Sequence, residues 1–211
     1  MSENIYPDSV KDLIDTAPAH KLIRKSMRIL LPDKNNWFGI LLSGSVGIVL
    51  SYNVGTAEDT VFMTMQLCDI LLSVQLTIFG CIFAVYSILL AFLSDSYIKK
   101  LSHIGYGDGS TYLVTSTQYY ESELFTYFIA IMVSLVLKLS LNCMPLNYTL
   151  TNSHFLNECL ATVLLTAYIT FSIRVIYELK SIIYNTIFLF RASLAYKIIS
   201  FAEAEQEERQ S

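Results

Sequence analysis

Hydrophobic and polar positions along the chain fall into long blocks rather than into the short period of a soluble amphipathic protein. Four apolar blocks, about Trp37–Asn53, Leu67–Leu93, Leu124–Met144 and Phe155–Ile176, are separated by shorter polar connections. The longest, LCDILLSVQLTIFGCIFAVYSILLAFL, runs 27 residues with Asp69 as its only formal charge. About 20 apolar residues cross the hydrocarbon of a bilayer, and the lower limit is near 17. Each block therefore predicts a membrane-spanning helix.

Small residues are patterned inside two of these blocks. In the first, Gly39, Ser43, Gly47 and Ser51 recur every four positions, with Gly55 continuing the series. In the second, Ser73, Thr77, Gly80, Ala84, Ser87 and Ala91 alternate steps of four and three along one helical face. Small side chains let helix backbones approach closely in lipid. Gly39, Ser43, Gly47, Gly80 and Ala84 are therefore the expected helix-packing positions. Whether the partner is internal or another protomer is left open by the pattern.

The flanking segments add the sidedness. Residues 1–36 hold six basic residues, and Ala19–Leu31 places Leu22, Ile23, Met27, Leu30 and Leu31 against Lys21, Arg24, Lys25 and Arg28. That is a basic amphipathic helix suited to an anionic leaflet or to docking on another protein. The connection after the second block carries Lys99 and Lys100, and five Lys or Arg follow from Arg174 onward. The other two connections have none. By the positive-inside rule both termini are cytoplasmic, and the two uncharged-to-acidic loops lie outside. The predicted class is an all-α polytopic membrane protein. Its parts are a cytoplasmic basic segment (1–36), a four-helix transmembrane domain (37–177) and a cytoplasmic C-terminal helix with an acidic tail (178–211). Residues 181–190 are apolar but too few to cross again.

Composition agrees. The chain has 211 residues, is 54% hydrophobic and only 15% charged, and has a mean hydropathy of +0.49. A net charge of −4 argues against a direct nucleic-acid surface. The four cysteines show no CxxC or Cys/His spacing, and a disulfide among Cys68, Cys143 and Cys159 is one reading of their shared membrane face. Cys81 reads as a small packing residue.

Candidate chemistry is sparse. Intramembrane charges cost about 2.5–3.5 kcal/mol each on insertion scales and mark functional sites by default. Asp69, Lys138 and Glu158 qualify, all toward the outer side, and Lys138 can reach either acid. The alternative is a snorkelling Lys138 with both acids at the interface. Gln75, Asn142 and Asn157 are placed to bond across helices, and Arg174 with Glu178 is spaced for a local pair that also meets lipid phosphate. Gly105–Ser110 (GYGDGS) lacks the Lys-Ser/Thr of a phosphate loop and reads as a turn. No catalytic or metal-ligand pattern occurs, so neither enzyme activity nor a cofactor is expected.

The stretch Thr77–Leu101, TIFGCIFAVYSILLAFLSDSYIKKL, followed by a Gly/Tyr turn, resembles small bacterial four-span proteins whose long second helix ends in a Ser-Asp, Lys-Lys step. Size, span number and topology make the chain similar to the membrane subunit of the Kiwa anti-phage system. The resemblance implies a homo-oligomer, tetrameric in that case, in the bacterial inner membrane. It also implies a separate soluble DNA-binding partner and a role in sensing phage at the envelope. Two functions are weighed: a sensor or scaffold recruiting a cytosolic protein, with anionic lipids at the inner face, and an oligomeric channel lined by Asp69, Gln75, Thr77 and Lys138. A small transporter ranks last, since inverted repeats and Gly/Pro-broken spans are missing.

Overall fold

The structure, a computed structural model, describes residues 23–24, 26–27, 37–92, 112–145, 149 and 151–210. Four helices make up nearly all of it: α1 (Trp37–Gly55), α2 (Thr60–Phe92), α3 (Tyr112–Asn142) and α4 (His154–Gln210). No strand occurs among the described residues. All four helices are long and apolar enough to cross a membrane. The chain is a multi-pass membrane protein.

In hydrocarbon each backbone amide needs a partner within its own helix, which overrides the weak helix propensity of Gly, Val, Ile and Thr. Hydroxyl groups follow the same logic. Ser43, Thr64, Thr77, Ser87, Thr126 and Thr186 each donate to a carbonyl three or four residues earlier, so they add no unsatisfied group. The α1–α2 connection is tight: Thr60 Oγ1 donates to the Ala57 carbonyl at 2.7 Å, and α2 starts at once. Asn157 locks the turn before α4, accepting from Thr151 N and donating to Thr151 O, both at 2.8 Å. The expectation that Asn157 bonds across helices is thus corrected to a local clasp. Asn142 is exposed.

Contacts fix an up-down-up-down order. α1 runs antiparallel to α4: Gly39 faces Tyr177 and Arg174, Gly47 faces Thr170, and Gly55 faces Thr162. A bond between Ser51 and Thr166 hydroxyls lies between them. The small-residue series of α1 meets a threonine series of the same four-residue period, so its partner is internal. α2 runs antiparallel to α3 through the Gln75–Ser134 bond and the Tyr86–Tyr120 stack. α3 and α4 join through Tyr127 and the Val175 carbonyl (3.0 Å) and Tyr120 and Thr186 (2.8 Å).

Two apolar cores result. One, toward the Gly55 end, gathers Cys68, Leu71, Leu141, Leu165 and Ile169. The other, toward the Trp37 end, gathers Ile82, Leu89, Tyr127, Ala130, Val175 and Ile182. The exterior is as apolar as the interior, with Phe38, Leu41, Ile48, Ile70, Phe83, Val136 and Val163 all exposed. That inversion of the usual soluble pattern fits lipid as the surrounding medium.

Three helices outrun their apolar blocks. α2 begins at Thr60 rather than near Leu67, α3 at Tyr112 rather than near Leu124, and α4 continues without a break to Gln210. Hydropathy reports where lipid is, whereas a packed helix propagates through polar residues as long as one face stays covered. The C-terminal helix is therefore an extension of the fourth span rather than a helix lying at the inner surface.

Candidate functional site in the helix core

The chemistry of the bundle lies inside it. Gln75 on α2 is fully buried and its Oε1 accepts from Ser134 Oγ on α3 at 2.9 Å. Ser134 Oγ in turn accepts from Tyr168 Oη on α4 at 3.0 Å. This three-helix chain sits between the two apolar cores. The sequence reading of Gln75 as an interhelical bonder holds. Gln75 Nε2 and Ser172 Oγ remain unpartnered beside it.

Toward the Trp37 end lies a second polar layer. Arg174 and Glu178 form the expected pair one turn apart on α4, with side chains only 5% and 4% exposed. Facing them from α3, Glu123 is completely buried, and neither carboxyl oxygen makes a well-formed hydrogen bond. The Tyr119 hydroxyl faces Glu123 and Asn185 without closing a well-formed bond to either. All three guanidinium nitrogens of Arg174 also lack a well-formed bond. Burying polar groups incompletely satisfied is costly, so this layer is the strongest candidate for function in the described chain.

Glu123 is the residue that the apolar-block reading misses, because it falls just before the third block. The signal was available as a stripe. Counting back from Leu141 in alternating steps of four and three gives Leu137, Ser134, Ala130, Tyr127, Glu123 and Tyr120, the face that packs inward.

The outer cluster is only partly assembled. Lys138 pairs with Asp69 across α2 and α3, their side chains 33% and 52% exposed. Glu158 is not part of it and instead lies 3.3 Å from His154 Nδ1, one turn away on α4. The α3–α4 register explains the separation. Pairs 134/168 and 127/175 put Lys138 opposite residue 164, six residues or about 9 Å deeper than Glu158.

The packing predictions divide. Gly39, Ser43 and Gly47 are buried in the α1–α4 seam. A Cβ at Gly39 would stand 2.6 Å from Tyr177 Cε1, and one at Gly47 would overlap the Thr170 hydroxyl. Gly80 and Ala84 are exposed instead, and a Cβ at Gly80 would meet nothing within 4 Å. The reason is angular. α2 buries Thr64, Cys68, Leu71, Gln75, Ile82 and Leu89, and the small stripe starts two residues on from Leu71, about 200° around the helix. For the same reason Thr77 and Gln75 do not share a path: Gln75 points into the bundle and Thr77 out of it.

Among the basic surface residues, Arg24 is helical and exposed, next to exposed Ile23 and Met27 and buried Ser26. Lys21, Lys25, Arg28, Lys99 and Lys100 lie outside the described residues, as do Gly105–Ser110. The four cysteines are free, Cys68 buried and Cys81, Cys143 and Cys159 exposed, so the disulfide reading and the packing role for Cys81 are both corrected. No cluster of metal-ligating side chains occurs among the described residues. No protein-family model, curated protein or solved structure matches the chain.

Proposed function

We propose that this protein is a non-enzymatic sensor or scaffold of the bacterial inner membrane. It self-associates and presents a docking surface to a soluble cytosolic protein, in the anti-phage role that the sequence resemblance implies. One observation carries the reading: α4 is a single helix of 57 residues, about 85 Å long, against a hydrocarbon core of about 30 Å. It begins at the loop between α3 and α4 on one membrane face and continues well past the other. Beyond Phe190, the last residue packed on the core, Leu194, Ile198, Ile199 and Phe201 are exposed. An apolar helix surface outside the bundle suits a partner helix or groove.

Sidedness supports the same direction. The Lys and Arg distribution assigns the Trp37 end and the far end of α4 to the cytoplasm. The rival channel reading is weakened because Gln75 and Thr77 point to opposite sides of α2. The test is affinity purification of the tagged full chain from its host in mild detergent, followed by native mass determination. A stoichiometric soluble protein on a multimer supports the proposal. A partner-free multimer that conducts ions in planar bilayers overturns it in favour of the channel.

A further inference from the structure

The buried layer of Glu123, Arg174 and Glu178 plays no part in the docking role of α4. It lies between two bonds that tie α3 to α4. Tyr127 donates to the Val175 carbonyl and Tyr120 bonds Thr186, and both tyrosines stand about one turn from Glu123. The other two helices close the layer off. α2 brings Ile78, Phe79, Ile82, Val85, Tyr86 and Leu89 to this core, and Tyr86, the titratable one among them, stacks on Tyr120. α1 reaches Arg174 through Gly39, which carries no side chain.

The charges in the layer do not balance. The titratable groups facing Glu123 are Tyr119 and Tyr127 from α3 and Arg174 and Glu178 from α4. Two carboxyl groups therefore share one guanidinium, and that guanidinium is ion-paired with Glu178 on its own helix. Glu178 also accepts from Ser181 Oγ at 3.3 Å. Glu123 is left with neither an ion pair nor a well-formed hydrogen bond. The tyrosines carry no positive charge, and the Tyr127 hydroxyl is already given to the backbone. Fully ionised, the layer would bury one uncompensated negative charge. An isolated carboxylate in an apolar interior is far costlier than its neutral form, so such a group takes up a proton instead.

We propose that this layer is a proton-binding site, in which Glu123 holds one proton in the packed bundle and loss of that proton loosens α3 from α4. The proton comes from water and returns to it. The bond made and broken is the O–H of the Glu123 carboxyl, and the layer changes from neutral to a single negative charge. Protonated Glu123 is a hydrogen-bond donor, which the ionised form is not, and the Glu178 carboxylate and the Tyr119 oxygen are acceptors in the same layer. The folded chain keeps a proton that an unfolded glutamate releases near pH about 4.3. Stability is therefore full at acid pH and falls as the pH rises. The site needs no partner protein and stands apart from the docking role of α4.

The test uses the full chain in mild detergent and two measurements. Infrared spectra at neutral pH should show the carbonyl stretch of a protonated carboxyl, shifted down in deuterium oxide and lost as the pH is raised. Glu123→Gln, which fixes the neutral form in nearly the same shape, should lack that band. In parallel, the thermal midpoint of the wild type should fall between about pH 5 and about pH 9, above the ordinary glutamate range, while that of Glu123→Gln falls less. A wild type without the band at neutral pH, an unchanged band in Glu123→Gln, or parallel pH profiles in the two proteins would each overturn the proposal. If Glu123→Gln does not fold, the wild-type band decides alone, and its absence at neutral pH or its persistence at the alkaline end overturns the site.

Discussion

Glu123 places a carboxyl group in the core with no well-formed hydrogen bond to either oxygen, an arrangement that costs stability unless function retains it. Replacing it with methionine, similar in length and apolar, should raise the thermal midpoint, by about 1–3 kcal/mol in stability. A lower midpoint would mean that Glu123 has partners that stabilise it. Arg174→Met should do the reverse. It strands Glu178, and the cost should be about 3 kcal/mol, the low end for a broken buried pair, because Ser181 Oγ at 3.3 Å still meets the carboxyl. Lys138 and Asp69 are half-exposed, so their pair is worth less. A double-mutant cycle of Lys138→Met and Asp69→Asn should return a coupling of about 1 kcal/mol or below. A coupling indistinguishable from zero would leave Lys138 as a snorkelling residue.

At the scale of helices, the α1–α4 seam is a zipper of glycine and serine against threonine. Its four-residue period on both sides is the geometry of close right-handed crossings. Gly47 and Gly44 provide an internal comparison, since a Cβ at Gly47 would strike Thr170 and one at Gly44 would meet nothing within 4 Å. Gly47→Ala should destabilise by about 1–3 kcal/mol through overpacking, whereas Gly44→Ala should be neutral or slightly stabilising. Thermal unfolding in one detergent checks both. The four spans and the α1 seam were legible in the sequence because hydropathy and small-residue period act locally. The face of α2 was not. Its small stripe and its buried stripe have the same heptad period, and only the positions of α3 and α4 decide between them. Glu158 was misplaced for a related reason: depth within a helix does not give register between helices.

For the whole molecule, antiparallel order puts the α1–α2 and α3–α4 connections at one end and the start of α1 at the other. On the proposed topology, with the basic end inward, exposed Cys143 would face the outside of the cell. A membrane-impermeant maleimide should label a variant retaining only Cys143 in intact cells. Labelling only after lysis would invert the topology.

The continuity of α4 has a mechanical consequence. From Phe190, the last residue packed on the core, to Gln210 the helix extends about 30 Å. A rigid rod based in the bundle amplifies what happens there, so that a tilt of about 10° would swing its tip by about 5 Å. That sweep exceeds the half-turn of a helix, enough to uncover or hide a contact. The lever's base is the layer where Thr186 bonds Tyr120 and where Leu189 and Phe190 pack on the core.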